Sequence, residues 1–455
     1  MLIRFNVGNF LSFNEIQEFS MISGKVKSKT DHVMDVNGMG LLKFGAVFGA
    51  NASGKSNLIK AIDFARSTIV NGLDSGFVNS YFRLEDANIE KPSYFEFEIK
   101  IDAKFYAYGF EILLHKNEIV SEWLHEISAK KNVIIFERDL TKNEYRTEIK
   151  ANNKNVEKKM EVYSDDLKSQ PNLLFLNEMN RNKEELYKEP SVLTALRDVY
   201  LWFELNLDIN YPERPVSGYS YFFDEKDTAK TCKIINAFGT GITNFTITDS
   251  SIEEVANALP KQLRERLEND IKKKMINRNK KNEVVAIIRS DENLFIISIN
   301  ERLEIEIKTV VFEHEKPGTI FKFAEESDGT RRILDLIEIL LMDNGKVYVI
   351  DEIDRSLHPQ LTYKFIATFL SKLSNSTSQL IVTTHESRLL DFDLLRRDEI
   401  WFVDKNKQGE SSLYSLEMYN ERFDKKIDKA YLEGRYGGVP IFSTVFPVKE
   451  EAPCD

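Results

Sequence analysis

Gly49 to Ser56 read GANASGKS and satisfy the pattern G-x-x-x-x-G-K-[ST] in full. Each residue type has a chemical reason. Gly49 and Gly54 let the backbone curl so that successive amides point at phosphate oxygens, and a helix opening near Lys55 adds its positive dipole end. Lys55 would reach the β- and γ-phosphates of a nucleoside triphosphate, and the Ser56 hydroxyl would ligate Mg²⁺. Asn51, Ser53 and Asn57 complete the candidate nucleotide-binding set. The flanks are those the motif requires: an apolar run, Gly45 to Phe48, before it, and Leu58, Ile59, Ala61, Ile62 and Ala65 at helical spacing after it. A chance Gly-rich turn would not bring such flanks.

A second strand carries acid. Val347, Tyr348, Val349 and Ile350 are continuously apolar, as in a strand buried on both faces, and Asp351 and Glu352 follow. A carboxylate at such a strand end enters the Mg²⁺ shell in P-loop enzymes, which gives Asp351 its expected role. Glu352 is then placed to act as general base on an attacking water. Upstream, Glu326-Ser327-Asp328-Gly329-Thr330 precedes a helix whose apolar positions are Ile333, Leu336, Ile337, Leu340 and Leu341, a second potential anion site. Downstream, DRSLHP leads into a helix with Pro359 at its first position and a stripe of Leu361, Phe365, Ile366, Phe369 and Leu370. The strand Gln379 to Thr384 then ends in His385. A lone histidine there is most often structural; the order of these motifs makes it a candidate contact to the γ-phosphate.

These residues need a scaffold, and the rest of the chain supplies one. The 455 residues hold 62 Lys plus Arg against 73 Asp plus Glu, a net charge of −11. At roughly 150 residues per domain that is about three domain-sized units. With 42% hydrophobic and 30% charged residues the composition is globular, and the acidic balance argues against coating nucleic acid by bulk charge. Cys232 and Cys454 are the two cysteines, without a CxxC pair, so neither a disulfide framework nor a zinc hook is expected. No apolar run approaches the ~20 residues needed to span a bilayer, and the N-terminus lacks a signal-peptide pattern, so a cytoplasmic protein is expected.

Four segments follow from the patterning. Residues 1–70 read strand, strand, loop, helix. Residues 71–170 include YFEFEIKI, FYAYGFEILL, NEIVSEWLHEI and NVIIFER at hairpin-like intervals, an antiparallel lobe. Residues 171–300 are mixed and largely helical, with a helix expected over Val192 to Leu205; the charged run 261–281 reads as a solvated helix and loop in preference to a coiled-coil arm. Residues 301–455 alternate strands and helices, as around a parallel sheet, and the final PVKEEAPCD reads as a loose tail.

The order of motifs resembles ATP-binding-cassette ATPases of the SMC and RecF kind, and more closely the bacterial AAA-domain, ABC-like ATPases of anti-phage defence. The resemblance runs nearly end to end: FNVGNFLSF, GANASGKS, the YFEFEIKID and YAYGFEI strands, FGTGI, EESDGTRRILDL, VYVIDEIDRSLHP, TTHES, LLRRDEIWFVDK and YLEGRYGGVP. The middle, about 152–300, matches weakly. The resemblance implies an α/β fold: a P-loop, ABC-type ATPase head with a mixed sheet, an antiparallel β lobe and an inserted, mainly helical region. It implies ATP and Mg²⁺ as cofactors and a head-to-tail dimer, with larger assemblies open to it. In such a dimer Lys55 and Ser56 bind nucleotide and metal, Asp351 holds Mg²⁺, Glu352 is the base, His385 senses the γ-phosphate, and Ser327 and Gly329 cap the partner's ATP. Asp328 stands where glycine is usual and Thr330 where glutamine is usual, and only Gln170 suggests itself for the glutamine loop.

Relatives of this kind resemble partners of a TOPRIM-like nuclease, fused as in OLD proteins or separate as in PARIS and RloA/RloB-type systems. No glutamate–DxD constellation for two-metal cleavage follows His385, so a separately encoded nuclease and a phage-encoded trigger are the expected partners. A RecF/SMC-like DNA-repair ATPase is the alternative; its duplex contacts would fall to the run 261–281 and to Lys154, Lys158 and Lys159. A GTPase-like switch is disfavoured because no NKxD-type motif is present.

Overall fold

The computed structural model describes residues 1–418 except 129–130, 149–153, 168, 182, 188–192, 213–218, 223–227, 252, 256–282, 290–293, 300–303, 317, 342–344 and 373–375, together with Tyr431. The run 261–281, the segment GRYGGVP and the tail from residue 447 lie outside the described residues. The chain divides into two units, one formed by residues 2–204 and 382–455, the other by residues 205–381 with Met1.

The first unit is built on an antiparallel sheet of seven strands, in the order Glu144–Arg146, Val133–Asp139, Glu118–Ile127, Lys104–Leu113, Ser93–Ile101, Leu2–Gly8 and Gln17–Ser20. The strand Ser93–Ile101 shows why. Phe95, Phe97 and Ile99 point inward while Tyr94, Glu96 and Glu98 stay half-exposed, the period-2 alternation of a sheet with one covered face. The covered face is largely phenylalanine: Phe5 lies 4.6 Å from Phe97, and Phe64 of the phosphate-loop helix lies 5.1 Å from both Phe10 and Phe95.

Within that apolar layer the buried pair Glu122 and Arg138, 3.0 Å apart, fixes the connection that follows the lobe. Glu122 accepts the amides of Phe175 and Leu176 at 2.6 and 3.0 Å and the Tyr108 hydroxyl at 2.9 Å. Arg138 donates to the carbonyls of Leu167, Gln170 and Leu173. Two buried charges are tolerable here because so many of their hydrogen-bonding positions are filled.

The same unit holds the strand Phe44–Phe48, buried throughout, paired parallel with Ile400–Lys405, which pairs antiparallel with Ser411–Ser415. The helix Lys55–Asn71 follows the loop and buries Leu58, Ile59, Ala61, Ile62 and Ala65 as its spacing requires. The helix expected over 192–205 is shorter, Thr194–Leu201, and widens into a π-turn at Trp202–Asn206.

The second unit contains the neighbouring strands Leu207–Asn210, Val347–Ile350 and Gln379–Thr383, the first two parallel. It also holds an antiparallel sheet of Asn244–Asp249, Ile305–Glu313, Leu294–Ile299 and Glu283–Arg289, with Ile320–Lys322 on the side of Ile305–Glu313. The strands of residues 207–299 are elements that periodicity did not resolve. The helix Asp328–Leu341 is buried on more than its apolar stripe, since Arg332, Asp335 and Glu338 are buried too while Leu341 is half-exposed. The helix Pro359–Ser371 starts at the expected proline, with His358 as its N-cap. No helix among the described residues is long and apolar enough to cross a membrane.

Candidate active site

The phosphate loop leaves the strand Phe44–Phe48 with no spare room. A Cβ on Gly49 would sit 2.5 Å from Ser53 Oγ and 2.5 Å from the Val403 carbonyl oxygen. Gly54 has φ +119°, and a Cβ there would fall 2.4 Å from Ser411 Oγ. Both glycines are therefore dictated by contact, and Gly54 also by a backbone conformation that L-residues avoid. Lys55 is buried; its Nζ donates to the carbonyls of Gly49 at 2.7 Å and Ala50 at 3.0 Å and lies 3.4 Å from His385 Nδ1. His385 reaches this point because the Thr384 amide donates to the carbonyl of Val47, on the strand that feeds the loop. Asn51 is exposed, whereas Ser53 is buried and its hydroxyl has no hydrogen-bond partner among the described residues. A buried, unpaired hydroxyl inside such a loop is the kind of group a phosphate oxygen would satisfy.

Two supports of the loop come from distant sequence. Ser411 Oγ lies 2.6 Å from the Ser53 carbonyl oxygen and 2.8 Å from Ser12 Oγ, and Asn57 Nδ2 donates to Ser12 Oγ at 2.7 Å. Ser12 is held by the opening motif FNVGNFLSF. There Asn9, at φ +47°, donates to the carbonyls of Asn88 and Lys91 at 3.0 and 2.8 Å. The motif RRDEIWFV has a structural explanation as well. Buried Arg396 binds Asp398 at 2.6 Å and the carbonyls of Val26, Ser28 and Lys29, while Glu399 meets His32 at 2.9 Å. Burial raises the Glu399 carboxyl above its ordinary value even though His32 draws it down.

The acidic strand end belongs to the second unit. Asp351 is buried and its amide donates to the Asn210 carbonyl at 2.9 Å. Glu352 is half-exposed and adopts φ +48°, a left-handed conformation uncommon for glutamate. Two donors reach its carbonyl oxygen: the Arg355 amide at 3.0 Å and Arg332 Nη2 at 3.4 Å. Arg332 Nη1 also donates to Asn210 Oδ1 at 3.1 Å. Arg332, only 5% exposed, thus bridges the Asn210 side chain and the Glu352 backbone on either side of Asp351. Burial lowers its pKa, opposed by the carboxylate of Asp335, which accepts from the Tyr219 hydroxyl. Sequence pattern does not reveal this bridge, because an arginine on an amphipathic helix reads as its wet face.

On the same unit Ser327 caps the helix Asp328–Leu341: its Oγ accepts the Thr330 amide at 3.1 Å while the residue stays exposed. A Cβ on Gly329 would lie 3.1 Å from the Ser356 carbonyl oxygen, so glycine allows the helix end to approach the loop after Glu352. Asp328 is exposed and pairs with Arg331 at 2.5 Å. Glu326 is buried against His314 at 2.8 Å. Gln170 is exposed at the end of the β-lobe connection, and its described role is the backbone carbonyl taken by Arg138.

The donors suit the expected cation. Ser56 in the first unit and Asp351 in the second each carry an oxygen donor, the ligand type that Mg²⁺ prefers. Among the described residues no group of three or more His, Cys, Asp or Glu could hold a metal by itself.

The sequence profile of the family described as "AAA domain, putative AbiEii toxin, Type IV TA system" matches residues 44–391. Among curated proteins, an ATP/GTP phosphatase of Helicobacter pylori (strain ATCC 700392 / 26695) is 23% identical over 152 residues, 29% of this chain and 40% of that protein. The match therefore spans about two fifths of the relative's length. Among solved structures, an Smc head bound to the C-winged helix domain of ScpA is 14% identical, with 94% of this chain and 99% of that chain covered at a TM-score of 0.41. The SMC head domain from Thermotoga maritima is 14% identical, with 91% and 98% covered at a TM-score of 0.36.

Proposed function

The chain belongs to the AAA-domain family described with the putative AbiEii toxin of type IV TA systems, and from that membership we propose that it is an ATP hydrolase that controls a separate effector. The observation that carries the reading is the phosphate loop, with Lys55 buried against its own loop carbonyls and 3.4 Å from His385, a residue 330 positions away in sequence. A Gly-rich turn without phosphate chemistry has no need of either group.

In this reading Gly49, Asn51, Ser53, Gly54, Lys55, Ser56 and Asn57 bind the triphosphate. When bound, Mg²⁺ neutralises charge on the β- and γ-phosphates. Ser56 and Asp351 would hold it. Lys55 stabilises charge that builds on the leaving oxygens, Glu352 takes the proton of the attacking water, and His385 detects the γ-phosphate. Ser327 and Gly329 of one copy close over the nucleotide of another in a head-to-tail dimer. The effector is a separately encoded TOPRIM-like nuclease released or activated on a phage-encoded signal, and the work is done in the cytoplasm. The defence role is supported by the motifs ESDGTRR, RRDEIWFV and GRYGGVP, while the family's description names a type IV TA system.

Glu352→Gln tests both levels. It should bind ATP, turn over roughly 10²–10⁴-fold more slowly and elute as an ATP-dependent dimer. Turnover at the wild-type rate removes the base assignment, and a monomer under saturating ATP removes the dimer. Used as bait in its native operon, the trapped form should retain the neighbouring gene product. Recovery of the ATPase alone, with ordinary phage sensitivity in a deletion strain, refutes the defence role. The Lys- and Arg-rich run 261–281 favours a second reading, a RecF/SMC-like DNA-repair ATPase. Duplex binding that strengthens with ATP and weakens with salt would establish it; no binding at about 50 mM salt would dismiss it.

A further inference from the structure

YLEGRYGGVP has no part in the chemistry above, yet its first residue touches the phosphate loop. Tyr431 is 5% exposed. Its ring stacks on Phe402, with centroids 5.6 Å apart and planes 23° apart, and meets Phe48 edge-on at 6.2 Å and 66°. Those two phenylalanines are register partners on adjacent parallel strands, and Phe48 is the residue immediately before Gly49. The Tyr431 hydroxyl accepts a hydrogen bond from the Gly49 amide; burial of the phenol pushes its pKa up to about 12.

Gly49 is therefore gripped on every side. Its amide is held by Tyr431, its carbonyl by Lys55 Nζ at 2.7 Å, and its α-carbon by Ser53 Oγ and the Val403 carbonyl, which leave no room for a Cβ. The loop's entry has one permitted position, and a residue some 380 positions downstream supplies one of the restraints.

We propose that Tyr431 is a positioning residue for the phosphate loop, so that its ring and hydroxyl contacts and the bound nucleotide stabilise one another. This rests on the reading of residues 49–57 as a nucleotide site. The physical basis is linkage. A group that restricts the loop to its binding-competent form raises nucleotide affinity, and nucleotide must favour docking of that group by the same factor. Without the hydroxyl the loop samples other conformations, and apparent affinity falls by the fraction that remains competent.

Tyr431→Phe keeps both ring contacts and removes only the hydroxyl. The full chain carrying it should bind a fluorescent ATP analogue roughly three- to tenfold more weakly, the worth of one hydrogen bond. Its kcat at saturating ATP should stay at the wild-type value, because bound nucleotide restores the loop. A purely structural tyrosine would lower the melting temperature and leave the Kd unchanged, and that result overturns the proposal. Lys55→Ala separates the two levels. If it still binds the analogue normally, the nucleotide site is misassigned. If it does not, and Tyr431→Phe binds like wild type, only the present inference fails.

Discussion

Replacing Arg332 by lysine tests whether the geometry of Glu352, and not merely its presence, sets the hydrolytic rate. The arginine fork donates to Asn210 Oδ1 at 3.1 Å and to the Glu352 carbonyl at 3.4 Å, from a position 5% exposed to solvent. Glu352 itself sits at φ +48°, a conformation that costs a non-glycine residue about 1–3 kcal/mol and persists only where neighbours enforce it. A lysine keeps the positive charge beside Asp335 but offers a point charge in place of a planar fork, so it cannot hold both the Asn210 side chain and the Glu352 carbonyl. A hydrogen bond from a charged donor is worth about 1.5–3 kcal/mol, and the 3.4 Å contact belongs at the bottom of that range. That is comparable with the strain it opposes, so the Glu352 peptide gains an alternative conformation. A displacement of about 1 Å at a reacting group costs on the order of 10² in rate. Arg332→Lys should therefore bind ATP with wild-type affinity, remain folded by circular dichroism, and hydrolyse ATP roughly 10–100-fold more slowly in a coupled phosphate-release assay. A folded variant with kcat within about twofold of wild type would show that the Arg332 bridge has no part in catalysis.

Ser327→Asp retains a good helix N-cap, so the melting temperature should hold, while it sets a negative charge where a partner's phosphates would lie. Hydrolysis should fall at least roughly tenfold; unchanged turnover would argue that each copy works alone. Glu399→Gln addresses pH. Burial raises the Glu399 carboxyl, so its neutral form is favoured in the fold, and the stability it contributes is full below the unfolded value of about 4.3 and is lost as pH rises through the folded value. The variant should gain on wild type in thermal melts as pH climbs from about 4.3 through that range. A stability difference that stays flat with pH would mean that the pair with His32 offsets the cost of burial.

The parts of the molecule legible in the sequence are those whose signal is local. GANASGKS announces its loop because a phosphate cradle needs specific residues at consecutive positions. Val347 to Ile350 announces a buried strand because it has no polar face, and YFEFEIKI alternates because one face of its sheet is covered. What stayed hidden depends on contacts across long stretches of chain. Ser12 and Ser411 meet beneath Ser53 although 399 positions separate them. The strands Asn244–Asp249 and Ile305–Glu313 pair only once the fold brings them together, and weak alternation in the first left it unread. Trp202–Asn206 carried helical spacing to the end of the expected helix, yet the backbone widened to a π-turn, with Phe203 packing on Phe97 at 5.0 Å. Tertiary packing overrode propensity there.

One physical rule connects the hidden residues. Arg332, Arg396, Glu399 and Glu122 are all ionisable and all buried, and such a group leaves water only where fixed partners replace it. Each therefore marks a place where the fold holds backbone in one arrangement. Arg332 does so at the acidic strand end, Arg396 at the loop 24–32, and Glu122 at the segment after the β lobe. RRDEIWFV carries Arg396, Asp398 and Glu399, and those three form such a clamp. A motif shared across relatives can thus record the cost of an immobile scaffold as faithfully as it records chemistry. Exposure marks part of the chemical set: Ser327, Glu352 and His385 keep access to solvent, while Lys55 and Asp351 are as buried as the clamp residues. Substitutions in the accessible class should change turnover before they change stability; at Arg396 and Glu122, which hold backbone away from the acidic strand end, they should do the reverse, and Arg332, which holds Glu352 itself, should behave like the accessible class.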